Sequence, residues 1–293
     1  MSAAQNAPGK PASGTPAAAA FATLFLLLPA GLVLGAAFLL PLARLFGLSG
    51  SMPAGVLAPY LELLGDDVYR KVFFNTVFFA IVVTAVTLVL GYPLALALAR
   101  MRAGWRALFL LAVLMPLWIS VLVRTFSWML LLERNGPINR ALIASGLTDT
   151  PMSLLFNKTG VLIGMVHVLL PYAVLPIFGA ILRIDPALLR ASEGLGAPRH
   201  VTFRRVLLPL SMRGVATAAT FVFLLSLGFF ITPALLGGAS EITLSMLVEN
   251  LVNERLAWPL AAAASVILLA LTLALLAVAG RFLSPAAVAG VGR

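Results

Sequence analysis

Six apolar runs, each long enough to cross a bilayer, recur along the 293-residue chain at about 21–46, 73–99, 107–132, 159–182, 206–232 and 257–282. A hydrocarbon core about 30 Å thick takes roughly 20 residues of helix to span. Lipid offers no partner for backbone N–H and C=O groups, so each run has to satisfy its own backbone as α-helix. Only 10% of the residues are charged against 61% hydrophobic, far below the quarter or so that an ordinary soluble domain carries on its surface. The expected fold is an all-α membrane protein with six transmembrane helices. The first run follows Lys10, but it outruns the roughly 7 to 15 residues of a signal-peptide core and no small-residue cleavage site closes it, so it reads as a retained helix. Residues 1–20, rich in alanine and proline, are expected to be a disordered tail, 21–285 the transmembrane domain and 286–293 a second short tail.

Six crossings put both termini on one side, and the charges say which. With the termini lie Lys10, Arg100, Arg102, Arg106, Arg183, Arg190, Arg199, Arg204, Arg205, Arg213, Arg281 and Arg293, against Asp185 and Glu193 alone. The opposite side carries seven basic residues against eight acidic ones, and Arg124 falls inside the third run. Lysine and arginine collect on the cytoplasmic face of membrane proteins. Both termini are therefore expected in the cytoplasm, and sidedness accounts for nearly all of the net charge of +10 without nucleic acid as a partner.

Several chemistries are excluded. There is no cysteine, and His167 and His200 lie far apart outside any HExxH-like setting, so thiolate catalysis, disulfides and common metal sites drop out. No cofactor is expected. No GxxxxGK[ST] phosphate loop occurs, the one Gly-Lys pair being Gly9 and Lys10, so this chain is not expected to hydrolyse ATP itself. Trp105, Trp118, Trp128 and Trp258 stand near run ends and read as interfacial anchors. "NGPINRALIASGL" from Asn135 and "EITLSMLVENLV" from Glu241 each suggest a short helix outside the spans, lying on the membrane, docking a partner or plugging the bundle.

The stretch "ALLRASEGLGAPRHVTFRRVLLPL" from Ala187 to Leu210 breaks the apolar pattern between the fourth and fifth runs. Asp185 before Pro186 is a helix start, since the carboxylate can cap free N–H groups and proline suits the first helical position. Leu188, Leu189 and Ser192 share one face, with Arg190 and Glu193 toward others. Gly194 and Gly196 can supply the left-handed backbone that ends such a helix, and a new helix can begin after Pro198.

The spacing of this stretch resembles the EAA motif of binding-protein-dependent ABC transporter permeases: Glu-Ala-Ala, three residues, Gly, nine residues, then Ile-x-Leu-Pro. Arg190, Ala191 and Ser192 fall at the Glu-Ala-Ala positions, Gly196 at the glycine, and Val206, Leu208 and Pro209 at Ile-x-Leu-Pro. Arg190 in place of glutamate and Ser192 in place of alanine depart from the pattern. "VRTFSWMLLLERNGPIN", "GVLIGMVHVLLPYAVLPI", "RIDPALLRASEGLGA" and "FFITPALLGG" look like the spermidine/putrescine branch. The resemblance implies a type I ABC importer permease-like fold with a coupling helix between helices 4 and 5. It further implies an inner-membrane location, two cytoplasmic ATPase subunits, a second permease subunit that is non-identical, and an external solute-binding protein. The coupling loop would comprise Arg190, Ala191, Ser192, Glu193, Leu195, Gly196, Pro198 and Pro209, and the implied cargo is a polyamine.

Polar groups inside the runs are the candidates for a translocation path: Asn75, Arg124, His167, Tyr172, Phe230 and Thr232. Two readings of Arg124 stand open, a charge facing a wet interior or a side chain in the outer third that snorkels to the interface. For His167 a hydrogen-bonded packing role comes first and solute contact second. Pro171 and Pro176 are expected to kink the fourth helix. No run holds a carboxylate for a polycation, which leaves the faces of Tyr172 and Phe230 for cation–π attraction and keeps opine-like or other small polar solutes as the alternative. An ion-coupled secondary transporter would call for intramembrane acids or repeated halves with broken helices, and neither is present in the sequence.

Overall fold

The computed structural model describes residues 16–283, and every regular element among them is helical. The tail expected over 1–20 lies outside the described residues up to residue 15, as does the one expected over 286–293. Helix α1 (Pro16–Ser49) belongs, through Gly47, to one compact unit and the rest of the chain to a second. Most of its described side chains are apolar and exposed, Phe25 and Leu34 to 78% and 70%, with Arg44 its one charged residue, as suits a helix bathed in lipid.

The second unit is built on three long helices: α3 (Asp67–Arg100), α7 (Lys158–Leu182) and α10 (Leu208–Leu227), which pack on one another. Helices α3 and α7 begin at caps, Asp66 accepting the Val68 N–H and Asn157 the Gly160 N–H. Without water to expel, membrane helices associate through close packing, and small residues permit it. A Cβ on Gly214 of α10 would stand 2.4 Å from Ala180 Cβ and 2.8 Å from the Pro176 carbonyl, and one on Gly91 3.2 Å from Ala173 Cβ. The core gathers Phe79, Val83, Leu98, Met165, Leu169 and Ile177. Several hydroxyls inside the spans are satisfied by the preceding turn, as in Thr84 to the Ala80 carbonyl and Ser226 to the Val222 carbonyl, whereas the buried Thr87 hydroxyl has no partner.

Five helices are individually long and apolar enough to cross a membrane: 27–49, 67–100, 158–182, 199–227 and 258–278. The sixth span expected, 107–132, is broken. Helix α4 (Ala103–Leu114) passes through a 3-10 turn at Met115–Trp118, and after Ile119 and Ser120 in extended conformation the chain resumes as α5 (Val121–Leu132). The two halves meet at 100°. Pro116 lacks an N–H and its ring obstructs the carbonyl four residues back, so the helical ladder fails there. Helix α7 runs as one helix through both Pro171 and Pro176.

The fifth span also shifts from 206–232 to Arg199–Leu227. It ends at Gly228, and Phe230 caps a separate short helix, α11 (Ile231–Leu236), which packs on α5 and α7. The two short helices expected outside the spans are α6 (Pro137–Ala144) and α12 (Leu244–Asn253), with α2 (Ala58–Gly65) between the first two long helices and α13 (Trp258–Leu283) the last. Helix α12 is held to α3 by the Leu244 N–H donating to Thr76 Oγ1 at 2.7 Å and to α13 by Leu247, Leu251 and Ala261, so it packs into the second unit rather than standing clear of it.

Candidate functional site

Between α7 and α10 the chain leaves the bundle as α8 (Pro186–Gly194). Asp185 caps it, its Oδ1 accepting the Ala187 N–H at 2.8 Å with Pro186 in the first turn. At the other end Gly196 stands at φ +80°, its N–H bonds the Glu193 carbonyl at 2.9 Å, and the Ala197 N–H bonds the Ser192 carbonyl at 3.2 Å. This pair of bonds is a Schellman closure, in which one left-handed residue lets the chain turn back on the last carbonyls. Gly196 alone supplies that residue, while Gly194 is the last residue of the helix.

Leu189 and Ser192 face inward, and Ser192 Oγ meets Thr202 Oγ1 at 3.0 Å. Thr202 ends α9 (Arg199–Thr202), which leads through a widened π turn, Phe203–Leu207, into α10. Pro209 follows that turn, and the Leu208 N–H reaches back five residues to the Phe203 carbonyl. The widened turn accommodates a proline that can neither donate nor tolerate the carbonyl four residues back. Phe203 packs edge-on against Tyr92 of α3 at 5.9 Å, and the Tyr92 hydroxyl meets Ser211 Oγ of α10 at 2.9 Å. Helix α8 is thus linked by side-chain contacts to both α3 and α10. Tyr92, Thr202, Phe203 and Ser211 were not among the candidates from sequence. Tyr92, a tyrosine inside an apolar run, was the available signal, because a phenol taken out of water has to find a partner.

The outward face carries Ala187, Arg190 and Ala191, and the turn presents Leu195, which is 89% exposed. Pro198 and Glu193 are exposed as well, and Glu193 borders a cavity of about 290 Å³ together with Arg100 and Arg199. A larger cavity of about 680 Å³ lies between α7, α8 and α10, with Arg183 and Arg213 among apolar walls.

The other candidates divide into two groups. Asn75 is buried and its amide donates to the Ser240 and Ile242 carbonyls at 2.7 and 3.2 Å. Thr232 is fully buried against Gly164 and its Oγ1 meets Thr125 Oγ1 at 3.2 Å. Both hold segments together and neither has surface to offer a solute in this conformation. Thr232 and Phe230 also lie beyond the fifth span; Phe230 is 37% exposed.

Arg124, His167 and Tyr172 come together. Trp128, one turn beyond Arg124, donates its indole N–H to His167 Nδ1 at 3.1 Å. Trp105, Trp118 and Trp258 are exposed. Arg124 is within electrostatic range of both Tyr172 and His167. His167 and Tyr172 stand about 14 and 21 Å along the roughly 37 Å of α7, at 1.5 Å per residue. The Arg124 Nε and Nη1 are buried with no hydrogen-bond partner, and no aspartate or glutamate occurs within α4, α5, α7, α10 or α13.

No family model matches the chain. The permease protein PotB of the spermidine/putrescine transport system of Escherichia coli (strain K12) is 35% identical over 210 residues, 71% of this chain and 76% of that protein. In three dimensions the chain is similar to a chain of a bacterial ABC transporter that imports the acidic polysaccharide alginate (TM-score 0.74, 19% identity, 89% of this chain and 94% of that one). It is equally similar to one from the alginate transporter in complex with its pentasaccharide-bound periplasmic protein (TM-score 0.75, 18% identity, 90% and 95%).

Proposed function

The chain belongs to the inner-membrane permease subunits of ABC importers, a transport component rather than an enzyme, and on that premise we propose that α8 is the element through which separate ATPase subunits drive it. The observation that carries this is the construction of α8: capped at Asp185, turned at Gly196, and joined through Thr202, Phe203 and Tyr92 to two long helices. A rigid helix tied at both ends transmits a push that a flexible loop would absorb. The α8 end of the bundle faces the cytoplasm, as its arginines require. Two ATPase subunits, a second, non-identical permease subunit and a receptor on the far side complete the transporter.

The cargo in this reading is a polyamine, following the relative's spermidine/putrescine system. Tyr172 and Phe230, each partly exposed, offer aromatic faces to a cation. A second reading is favoured by Arg124, whose buried, unpaired donors suit a solute with acceptor groups, such as an opine-like molecule. Purifying the chain with its ATPase, second permease and receptor, and measuring ATP-driven uptake into proteoliposomes, tests both. Uptake of putrescine or spermidine is expected. Transport that survives ATP removal but collapses with an uncoupler would sink the ATP-driven reading, and uptake of a carboxylate-bearing solute alone would select the second cargo.

A further inference from the structure

Resting on the reading of α8 as the ATPase contact, we infer that its docking face is electropositive and that the groove receiving it on the ATPase is acidic at Arg190 and apolar at Leu195. The segment from Arg183 to Arg213 holds six arginines against two carboxylates, Asp185 and Glu193. Asp185 spends its Oδ1 on the Ala187 N–H at the start of α8. Glu193 is exposed and borders the small cavity shared with Arg100 and Arg199 of this same chain, toward a different side of α8 from Arg190. Arg190 is exposed, and among the described residues the one ion pair is Arg70 with Asp67. It therefore stands free as the single charge on a stripe otherwise made of Ala187, Ala191 and Leu195.

That arrangement selects its partner. A guanidinium driven into a groove has to be met by a carboxylate, because an unpaired charge taken out of water costs more than a small interface returns. The adjacent Ala187 and Ala191 allow the helix backbone to come close, and Leu195, 89% exposed at the turn, is an anchor with nothing to cover it in this chain. An ATPase whose groove carries a basic residue, suited to the glutamate that the EAA pattern places here, would meet Arg190 with like charge and be rejected. Arg190 thus serves as a specificity determinant for the cognate ATPase.

The test uses the complete transporter in proteoliposomes. The chain has no cysteine, so Arg190→Cys and Leu195→Cys give unique cross-linking sites. Position 190 is expected to cross-link beside an aspartate or glutamate of the ATPase, and position 195 among apolar residues. Arg190→Glu is expected to lower receptor-stimulated ATP hydrolysis at least about tenfold while Arg190→Lys stays within about threefold. Lysine placed at the contacting acid of the ATPase is expected to rescue Arg190→Glu and to impair the wild type. Should Arg190→Glu fail to accumulate, Arg190→Gln carries the test, its ATPase association becoming less sensitive to salt. Wild-type coupling by Arg190→Glu, or a cross-link to a basic patch, overturns the acidic groove while Gly196→Pro still uncouples. If Gly196→Pro also couples normally, the docking role of α8 itself falls.

Discussion

Replacing Gly196 by proline tests the mechanical role of α8 with little reach into the rest of the molecule. Gly196 stands at φ +80°, whereas proline holds φ near −65°, so the native turn is closed to it. The substitution also removes the N–H that bonds the Glu193 carbonyl at 2.9 Å, about 1 kcal/mol net. Together with roughly 3 kcal/mol for the backbone conflict, the turn is disfavoured by about 4 kcal/mol, which is on the order of a thousandfold in its population. The only other bond closing the turn is Ala197 N–H to the Ser192 carbonyl, too little to restore it. A Cβ at Gly196 meets nothing within 4 Å, so the bundle is untouched and membrane abundance stays at the wild-type level. Gly196→Ala fits the space and bears only the left-handed penalty of about 1 kcal/mol, giving an intermediate loss. Gly194→Ala, at a helical position with an equally open Cβ, is expected to transport normally. The readout is ATP-driven uptake in proteoliposomes normalised to permease content by immunoblot. Uptake near wild type by Gly196→Pro at normal abundance would refute the claim that a rigid α8 transmits the ATPase movement.

Further outcomes follow from the packing and from the polar groups within the helices. Arg124→Leu removes two buried, unpartnered donors, so its thermal midpoint in detergent is expected to be equal to or above wild type while uptake falls at least about tenfold; a destabilised but active variant would contradict this. Gly214→Val forces atoms into space 2.4 Å from Ala180 Cβ and is expected to cost about 2 kcal/mol or more, whereas Gly179→Ala, with nothing within 4 Å, leaves the melting curve in place. Trp128→Phe loses the 3.1 Å bond to His167 and is expected to cost about 1 kcal/mol, visible as a lowered midpoint with uptake reduced no more than the population shift requires. Tyr92→Phe keeps the ring against Phe203 but drops the hydroxyl from Ser211, and uptake per ATP hydrolysed is expected to fall; an unchanged ratio would remove Tyr92 from the transmission route.

The local devices of the chain are legible in its sequence, because adjacent residues determine them. An aspartate before a proline caps a helix start, and a glycine six residues after Arg190 ends it; both stand as expected at Asp185 and Gly196. Apolar runs longer than a bilayer is thick located the spans, with boundaries displaced where Pro116 broke the third and Gly228 ended the fifth. Three prolines equally placed in apolar sequence, Pro93, Pro171 and Pro176, lie inside unbroken helices, so which proline breaks a span is a matter of surroundings rather than of the residue.

Polar pairing belonged to the tertiary structure alone. Trp128 meets His167 across 39 residues, Thr125 meets Thr232 across 107, Tyr92 meets Ser211 across 119 and Thr76 meets Leu244 across 168. Asn75 and Thr232 looked like path residues because an apolar run makes any polar side chain conspicuous; the fold spends both on holding its own segments together. Arg124 lies beyond a 100° bend, on a helix that packs against α7 and α11. Capping and turning are settled within a few bonds of the residue that causes them. Where a polar group finds its partner depends on which helices lie side by side, and that is decided by packing contacts between residues far apart in the chain.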